Sequence, residues 1–386
     1  MKKFSSFANS IRQGTVFIAV TTIVLLPLAV PAIEPREDQE ERYSYVPPQQ
    51  LHDGWEVSSL SDEGIEVEPI EEISARIRDI DDISRLYSML IVRNGKLVHE
   101  VYSPYCQRNT LFWMASITKT ISSTLIGIAI DKDFIPNSDA GIVDLLPEYA
   151  DAVADTDFNR IKLKHIMTMS SGMEWFEHGS SYNDPRNSEF LMVDSQDWIR
   201  YVLSHPLKEE PGTVFLYNTG GAHLISAVIK SATGMYANQF AEKYLFHPMG
   251  IYAYQWNRDS TGHPCTGGTD GGVGLRSRDL AKIGWLFLND GTWKGQRIIS
   301  MDWIEVATRP HTKFPGGRQS YGYNWFPGSL WVAGTEYEYV ATFGYGGQTM
   351  YLVPELELIL IFTCALSEEG VNTLLFTMKV IAAVGS

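Results

Sequence analysis

The chain of 386 residues reads as an α+β protein, an antiparallel sheet flanked by helices with a mainly helical domain inserted between the sheet's two halves. Three observations lead there. LYSMLIVRNGKLVHEVYS, from Leu86, carries two apolar, β-branched runs around Asn94-Gly95, the pattern of a hairpin with a type I′ turn. Near the other end YGYNWF, EYEYVATF, QTMYLVP and LELILIFTCAL are short apolar or alternating segments that read as strands. Between them, from about 135 to 260, the apolar periodicity is helical.

At the start, Lys2, Lys3 and Arg12 precede an apolar run, VFIAVTTIVLLPLAVPA, in which Val30 and Ala32 fit a cleavage site. Residues 1–32 are therefore expected to be a secretory signal, and the body to be periplasmic or secreted. A retained membrane anchor is the alternative, which Pro27, Pro31 and the short apolar run disfavour. Residues 33–82 hold 16 acids against 4 bases and carry most of the net charge of −15. This stretch reads as an acidic leader, solvated or draped, that turns helical from Glu71 to Ile80 and precedes a catalytic domain at 83–386. An acidic chain without a basic stripe is a poor nucleic-acid binder, so that class of function is set aside. The only cysteines are Cys106, Cys265 and Cys364, with no C-x-x-C pair, no H-E-x-x-H and no clustered histidines, so neither metal nor cofactor is expected.

Past the hairpin, Met114, Ile117, Ile121, Leu125 and Ile128 recur at three- and four-residue intervals and predict a helix from about Ala115. Its Gly127 and Ala129 predict close packing on more than one side. A helix is expected over Asp194 to Leu203, with Trp198 and Val202 on one face, and another from Gly221 to a stop at Gly234. An amphipathic helix from about Val371 to Val384 closes the chain.

Chemistry enters at Ser116-Ile117-Thr118-Lys119, at the start of the first of these helices. A spacing of three puts hydroxyl and amine on one face, within hydrogen-bond reach. Serine is a weak nucleophile without a base, and a lysine is a base only when neutral; burial and the positive end of a helix dipole both disfavour its charge. The same helix start offers the Ser116 backbone N–H to a developing oxyanion. A second element is FLYNTGG, where Tyr217 ends an extended segment ahead of a helix and can relay a proton to a leaving group. Asn218 and Thr219 read equally as helix-entry residues. The third is ATFGYGGQTMYLVP, whose Gly344 marks a strand approached closely by another group: a substrate lying along it with a main-chain N–H, that of Tyr345, aimed at the reacting carbonyl, or a plain hairpin turn.

These three elements, in this order, resemble the penicillin-recognising serine hydrolases, a group taking in class C β-lactamases, DD-peptidases, related esterases and 6-aminohexanoate-dimer hydrolase. The phrases HIMTMSSGMEW, GGTDGGVGLRSRDLAKIG and GYGGQTMYLVPELELILIFT extend the likeness over about 83–386. The resemblance implies a β-lactamase/transpeptidase-like fold, Ser116 as nucleophile, Lys119 as its base and Tyr217 as the second acid–base group. It also implies an oxyanion hole of the Ser116 and Tyr345 N–H groups. Two departures bear on the substrate. Where the family's second motif reads Tyr-x-Asn, Thr219 stands here, leaving Asn218 as the substrate-binding candidate. Where its third motif opens with Lys or His, this chain has Thr342. Without that cation a penicillin or D-Ala-D-Ala carboxylate loses its partner, and small esters or uncharged amides fit better.

The loop WFEHGSSYNDPRNSEF borders the cleft in that family, which makes Trp175 and Tyr182 substrate-contact candidates. His223 reads as structural. The expected function is an exported esterase or amidase on a small acyl compound, working through a Ser116 acyl-enzyme. The alternatives are a β-lactamase or DD-carboxypeptidase, and a non-catalytic ligand-binding module on the same fold.

Overall fold

The computed structural model describes residues 43–79, 85–154, 156–177, 179–314 and 319–385. The signal expected at 1–32 and the first part of the acidic stretch lie outside the described residues.

The strands that matter here are β1 (Glu56–Val57), β2 (Leu86–Arg93), β3 (Lys96–Tyr102), β4 (Phe112–Trp113), β5 (Gln255–Trp256), β6 (Val273–Leu275), β7 (Phe326–Val332), β8 (Thr335–Gly344), β9 (Gln348–Val353) and β10 (Leu358–Cys364). The helices are α1 (Val67–Arg78), α2 (Ile117–Asp131), α3 (Ser188–Asp194), α4 (Trp198–Leu203), α5 (Thr219–Thr233), α6 (Ser277–Leu288) and α7 (Leu374–Ala382). A seven-stranded sheet runs β1-β3-β2-β10-β9-β8-β7, antiparallel except where β1 pairs parallel with β3. The N- and C-terminal halves of the chain thus share one sheet, joined where β2 pairs with β10.

The β2–β3 hairpin forms as its turn residues dictate: Asn94 and Gly95 both take positive φ, 51° and 75°, as a type I′ turn requires. Alternation along β2 then sorts its side chains to two cores. Met89 and Ile91 face one layer with Ile70, Ile73 and Ile77 of α1 and Val380 and Ile381 of α7. Leu90 and Val92 face the other, with Ile121 and Leu125 of α2 and Leu280 and Ile283 of α6. Buried on both sides, β2 and β10 read as nearly continuous apolar runs for this reason.

The acidic stretch differs from its expected role. From Tyr43 it is part of the body rather than draped on it. Trp55 is buried and its indole N–H donates to the Arg278 carbonyl, the Tyr45 hydroxyl donates to the Val98 carbonyl, and β1 extends the sheet. The helix begins at Val67, four residues before Glu71, and puts three isoleucines inward while its acids stay outside. Net charge masked an amphipathic period.

Elsewhere the differences are local. The helix expected over 194–203 is two pieces, because the Asp197 carboxylate accepts the Arg200 N–H and starts a new helix at Trp198. Trp198 and Val202, expected on one face, are both buried. α5 ends at Gly234, left-handed at φ 72°. YGYNWF is a turn more than a strand: Asn324 takes φ 62° and β7 starts at Phe326. Pro327 is tolerated because β7 is the sheet's edge.

If α1 is a full member of the core, Ile73→Ala lowers unfolding free energy by about 2–5 kcal/mol in a urea titration. A change below about 0.5 kcal/mol, the range of surface substitutions, would make the helix an ornament.

Candidate active site

The site is built where α2 starts. β4 leads into Met114 and Ala115, whose N–H groups donate to the carbonyls of Val273 and Gly271, both at 2.8 Å. Ala115 takes φ 47°, a left-handed conformation that a non-glycine residue holds only when its surroundings enforce it. Gly268, itself at φ 88°, packs against it: a Cβ there would collide with the Ala115 carbonyl, so the glycine-rich loop 267–272 lies directly against the nucleophile's backbone.

Ser116 caps α2, and among the described residues its N–H donates to no group. One turn on, Lys119 is 1% exposed, and its Nζ donates to Ser116 Oγ at 2.9 Å and to the Gly267 carbonyl at 2.5 Å. The Tyr217 hydroxyl reaches the same Ser116 Oγ at 2.8 Å, across 101 residues of sequence. Lys119 Nζ also lies 4.7 Å from the centre of the Tyr217 ring. One oxygen therefore has an amine and a phenol within proton-transfer distance, which is what an activated serine requires.

Gly344 closes the site from the sheet. A Cβ on it would sit 2.5 Å from the Met114 carbonyl, so the close approach that its glycine signals is made by the nucleophile's own loop rather than left for substrate. Tyr345 follows at the turn, and its ring stands edge-on to Tyr182, centroids 5.3 Å apart. Tyr182 is 38% exposed, and burial together with the Glu177 carboxylate pushes its pKa upward. Ser181 Oγ donates to Glu368 at 2.6 Å, tying this rim loop to the segment after β10. Thr342 turns to α2: its hydroxyl is 2.7 Å from that of Thr120, which in turn donates to the Asn324 carbonyl. Thr342 is thus neutral, with its hydroxyl turned to Thr120.

Two further candidates change role. Trp175 is 4% exposed, packs against Tyr201 and His205, and spends its indole N–H on Glu177 at 2.7 Å; it supports the site from below and offers no face to a substrate. Asn218 takes the helix-entry reading, its Oδ1 accepting the Gly221 N–H at 2.6 Å, so that oxygen is committed to capping α5. His223 is structural, buried with its Nε2 3.0 Å from Asp259. Burial opposes ionisation of Asp259, but His223 and the Thr261 hydroxyl hold its pKa down to about 2.

Two buried carboxyls escaped the sequence reading. Glu177 accepts the Thr219 N–H at 2.8 Å and the Thr219 hydroxyl at 2.6 Å. Glu189, on α3, accepts the Thr269 hydroxyl at 2.7 Å. Burial first, then the Glu177 carboxylate, pushes Glu189 up to about 8 against the pull of Lys119 and the Thr269 bond. Asn324 was missed as well; its amide donates to the Lys119 carbonyl at 3.0 Å and braces the first turn of α2.

Known proteins share this arrangement of chain. The beta-lactamase family model matches residues 82–374. The 6-aminohexanoate-dimer hydrolase of Paenarthrobacter ureafaciens is 22% identical over 333 residues, 78% of this chain and 80% of that one. Esterase EstB of Burkholderia gladioli is 23% identical over 176 residues, 42% of this chain and 44% of its own. The crystal structure of a family VIII carboxylesterase superposes with a TM-score of 0.63 at 16% identity, covering 82% of this chain and 95% of that one.

Gly344→Ala should push the Met114 carbonyl and with it Ser116; a displacement near 1 Å lowers kcat/KM by about 100-fold. Wild-type kinetics in that variant would mean that the contact does not set the nucleophile's position.

Proposed function

The chain belongs to the beta-lactamase family and is a serine hydrolase of that fold, and on that premise we propose that it cleaves small esters or uncharged amides through an acyl-enzyme on Ser116. The observation that carries this is the single Ser116 Oγ within 2.9 Å of Lys119 Nζ and 2.8 Å of the Tyr217 hydroxyl.

The Lys119 contact runs in the reactive direction when the amine is neutral: the Ser116 proton passes to Nζ as Oγ bonds to the acyl carbon. The carbonyl oxygen becomes an oxyanion facing the N–H groups of Ser116 and Tyr345. As the adduct collapses, the bond from acyl carbon to the leaving oxygen or nitrogen breaks, and that atom takes the Tyr217 phenolic proton. Tyr217 regains a proton from the Lys119 ammonium, so the alcohol or amine departs with both groups restored. Water then repeats the sequence: it gives a proton to the Lys119–Tyr217 pair, bonds to the acyl carbon, and expels Ser116 Oγ, which recovers that proton.

The substrate class rests on Thr342. With a threonine hydroxyl turned to Thr120 in place of a cation, nothing at that position compensates a substrate carboxylate. The names of the two relatives, an amide hydrolase and an esterase, match the two bond types proposed. Export is part of the proposal, supported by the basic start and apolar run before Ile33; N-terminal sequencing of the mature protein should begin at that residue.

A serine-directed phosphonate should label the wild type and leave Ser116→Ala unlabelled; equal labelling removes the nucleophile. On a panel of short nitrophenyl esters, a linear aminohexanoate dimer, a chromogenic cephalosporin and D-Ala-D-Ala peptides, the esters should lead. Preference for the cephalosporin or the peptides would move the assignment to a β-lactamase or carboxypeptidase.

A further inference from the structure

Proton transfer from Ser116 to Lys119 creates an ammonium on a side chain that is 1% exposed. Burying a charge without a counter-charge is costly, and among the described residues no carboxylate lies within ion-pair distance of Nζ. The hydrogen bonds seen for Nζ run to one carbonyl and one hydroxyl. The compensation has to come from slightly further away.

Glu189 feels the Lys119 charge, and Glu177 acts on Glu189 in turn. They grip the two segments that complete the site. Glu177 takes both donors of Thr219, two residues after Tyr217, and Glu189 takes the hydroxyl of Thr269, two residues after the Gly267 carbonyl that holds Lys119. Those segments touch, since a Cβ on Gly267 would collide with the Thr219 carbonyl. Neither glutamate has a described ion-pair partner, although they are only 3% and 9% exposed. Glu177 accepts four donors, from Trp175, from Tyr182 and two from Thr219, the behaviour of an ionised carboxylate. Two carboxylates so placed repel, and the one with fewer donors, Glu189, keeps its proton.

We propose, resting on the acyl-enzyme reading above, that Glu177 and Glu189 are positioning residues that together carry one negative charge and one proton. They fix Tyr217 and the Gly267 carbonyl about Ser116, and they supply the counter-charge for the ammonium that forms on Lys119. A second charge, on Glu189, over-stabilises the ammonium before reaction, withholds the neutral amine that Ser116 needs, and opposes the oxyanion. Activity therefore depends on Glu189 keeping its proton. The groups it faces are Glu177 from the loop before α3, Lys119 from α2, Asp270 and Cys265 from the glycine-rich segment, and Tyr182 from the rim. Burial and Glu177 raise Glu189 to about 8, which sets where the dependence falls.

The test is kcat/KM against pH for a short nitrophenyl ester with the full-length protein and three variants. Wild type should lose about tenfold per pH unit above a midpoint near 8, as for a single essential proton. Glu189→Gln, which keeps an acceptor for Thr269 but cannot ionise, should show no such fall. Thr269→Val removes a bond that favours the carboxylate and should move the midpoint to higher pH; it decides the matter if the glutamine variant does not fold. Profiles that superimpose on wild type in both variants overturn the proposal while Ser116-dependent turnover leaves the acyl-enzyme reading standing. Turnover that survives Ser116→Ala removes both.

Discussion

A hydroxyl and an amine one helical turn apart, 2.9 Å between Ser116 Oγ and Lys119 Nζ, make the contact on which everything else in this molecule depends. The spacing is local, but the contact is useful only if water is kept from the amine and a second acid–base group reaches the same oxygen. Neither condition can be met by α2 alone. The sheet, the glycine-rich loop and the helical region each contribute one wall.

Close backbone approach is how those walls meet. Gly268 lies against the Ala115 carbonyl, Gly344 against that of Met114, and Gly267 against that of Thr219. A side chain at any of these positions would hold the layers apart by the width of a methyl group. The left-handed Ala115 lies within this convergence, and its position just before the nucleophile follows the general tendency of backbone strain to collect at reactive sites. Behind it lies a shell of buried polar groups, with Thr120, Thr342 and Asn324 on one side and the two glutamates on the other. Each is bonded to the backbone or hydroxyl of a neighbouring element, so the catalytic geometry is held by hydrogen bonds of fixed direction as well as by packing.

Local signals in the sequence were sufficient for the hairpin at Asn94-Gly95, the apolar face of α2, the stop of α5 at Gly234 and the pairing of Ser116 with Lys119, because each is decided within a few residues. The start of α1 was obscured, since its acids dominate composition while its three isoleucines, the part that packs, are few. Trp175 stands in a polar loop whose composition points to the surface; only the fold shows that α4 and α5 cover it. Glu177 and Glu189 were the hardest to see. Acidic residues are surface residues by default, and their burial depends on threonines at 219 and 269, distant in sequence and unremarkable in type. Asn324 carried one signal, a residue type that tolerates the left-handed conformation between two aromatics, but its bond to the Lys119 carbonyl spans 205 residues.

The role of Lys119 as the base is the claim with most resting on it, and single-turnover acylation of Ser116, followed by intact mass with a slowly deacylating ester, tests it most directly. With Lys119→Met, similar in length and without a proton acceptor of comparable basicity, the acylation rate should fall by about 100- to 10,000-fold, the usual worth of a positioned base. Lys119→Arg should fail equally, because a guanidinium keeps its proton. Acyl-enzyme accumulating at the wild-type rate in either variant would contradict the account.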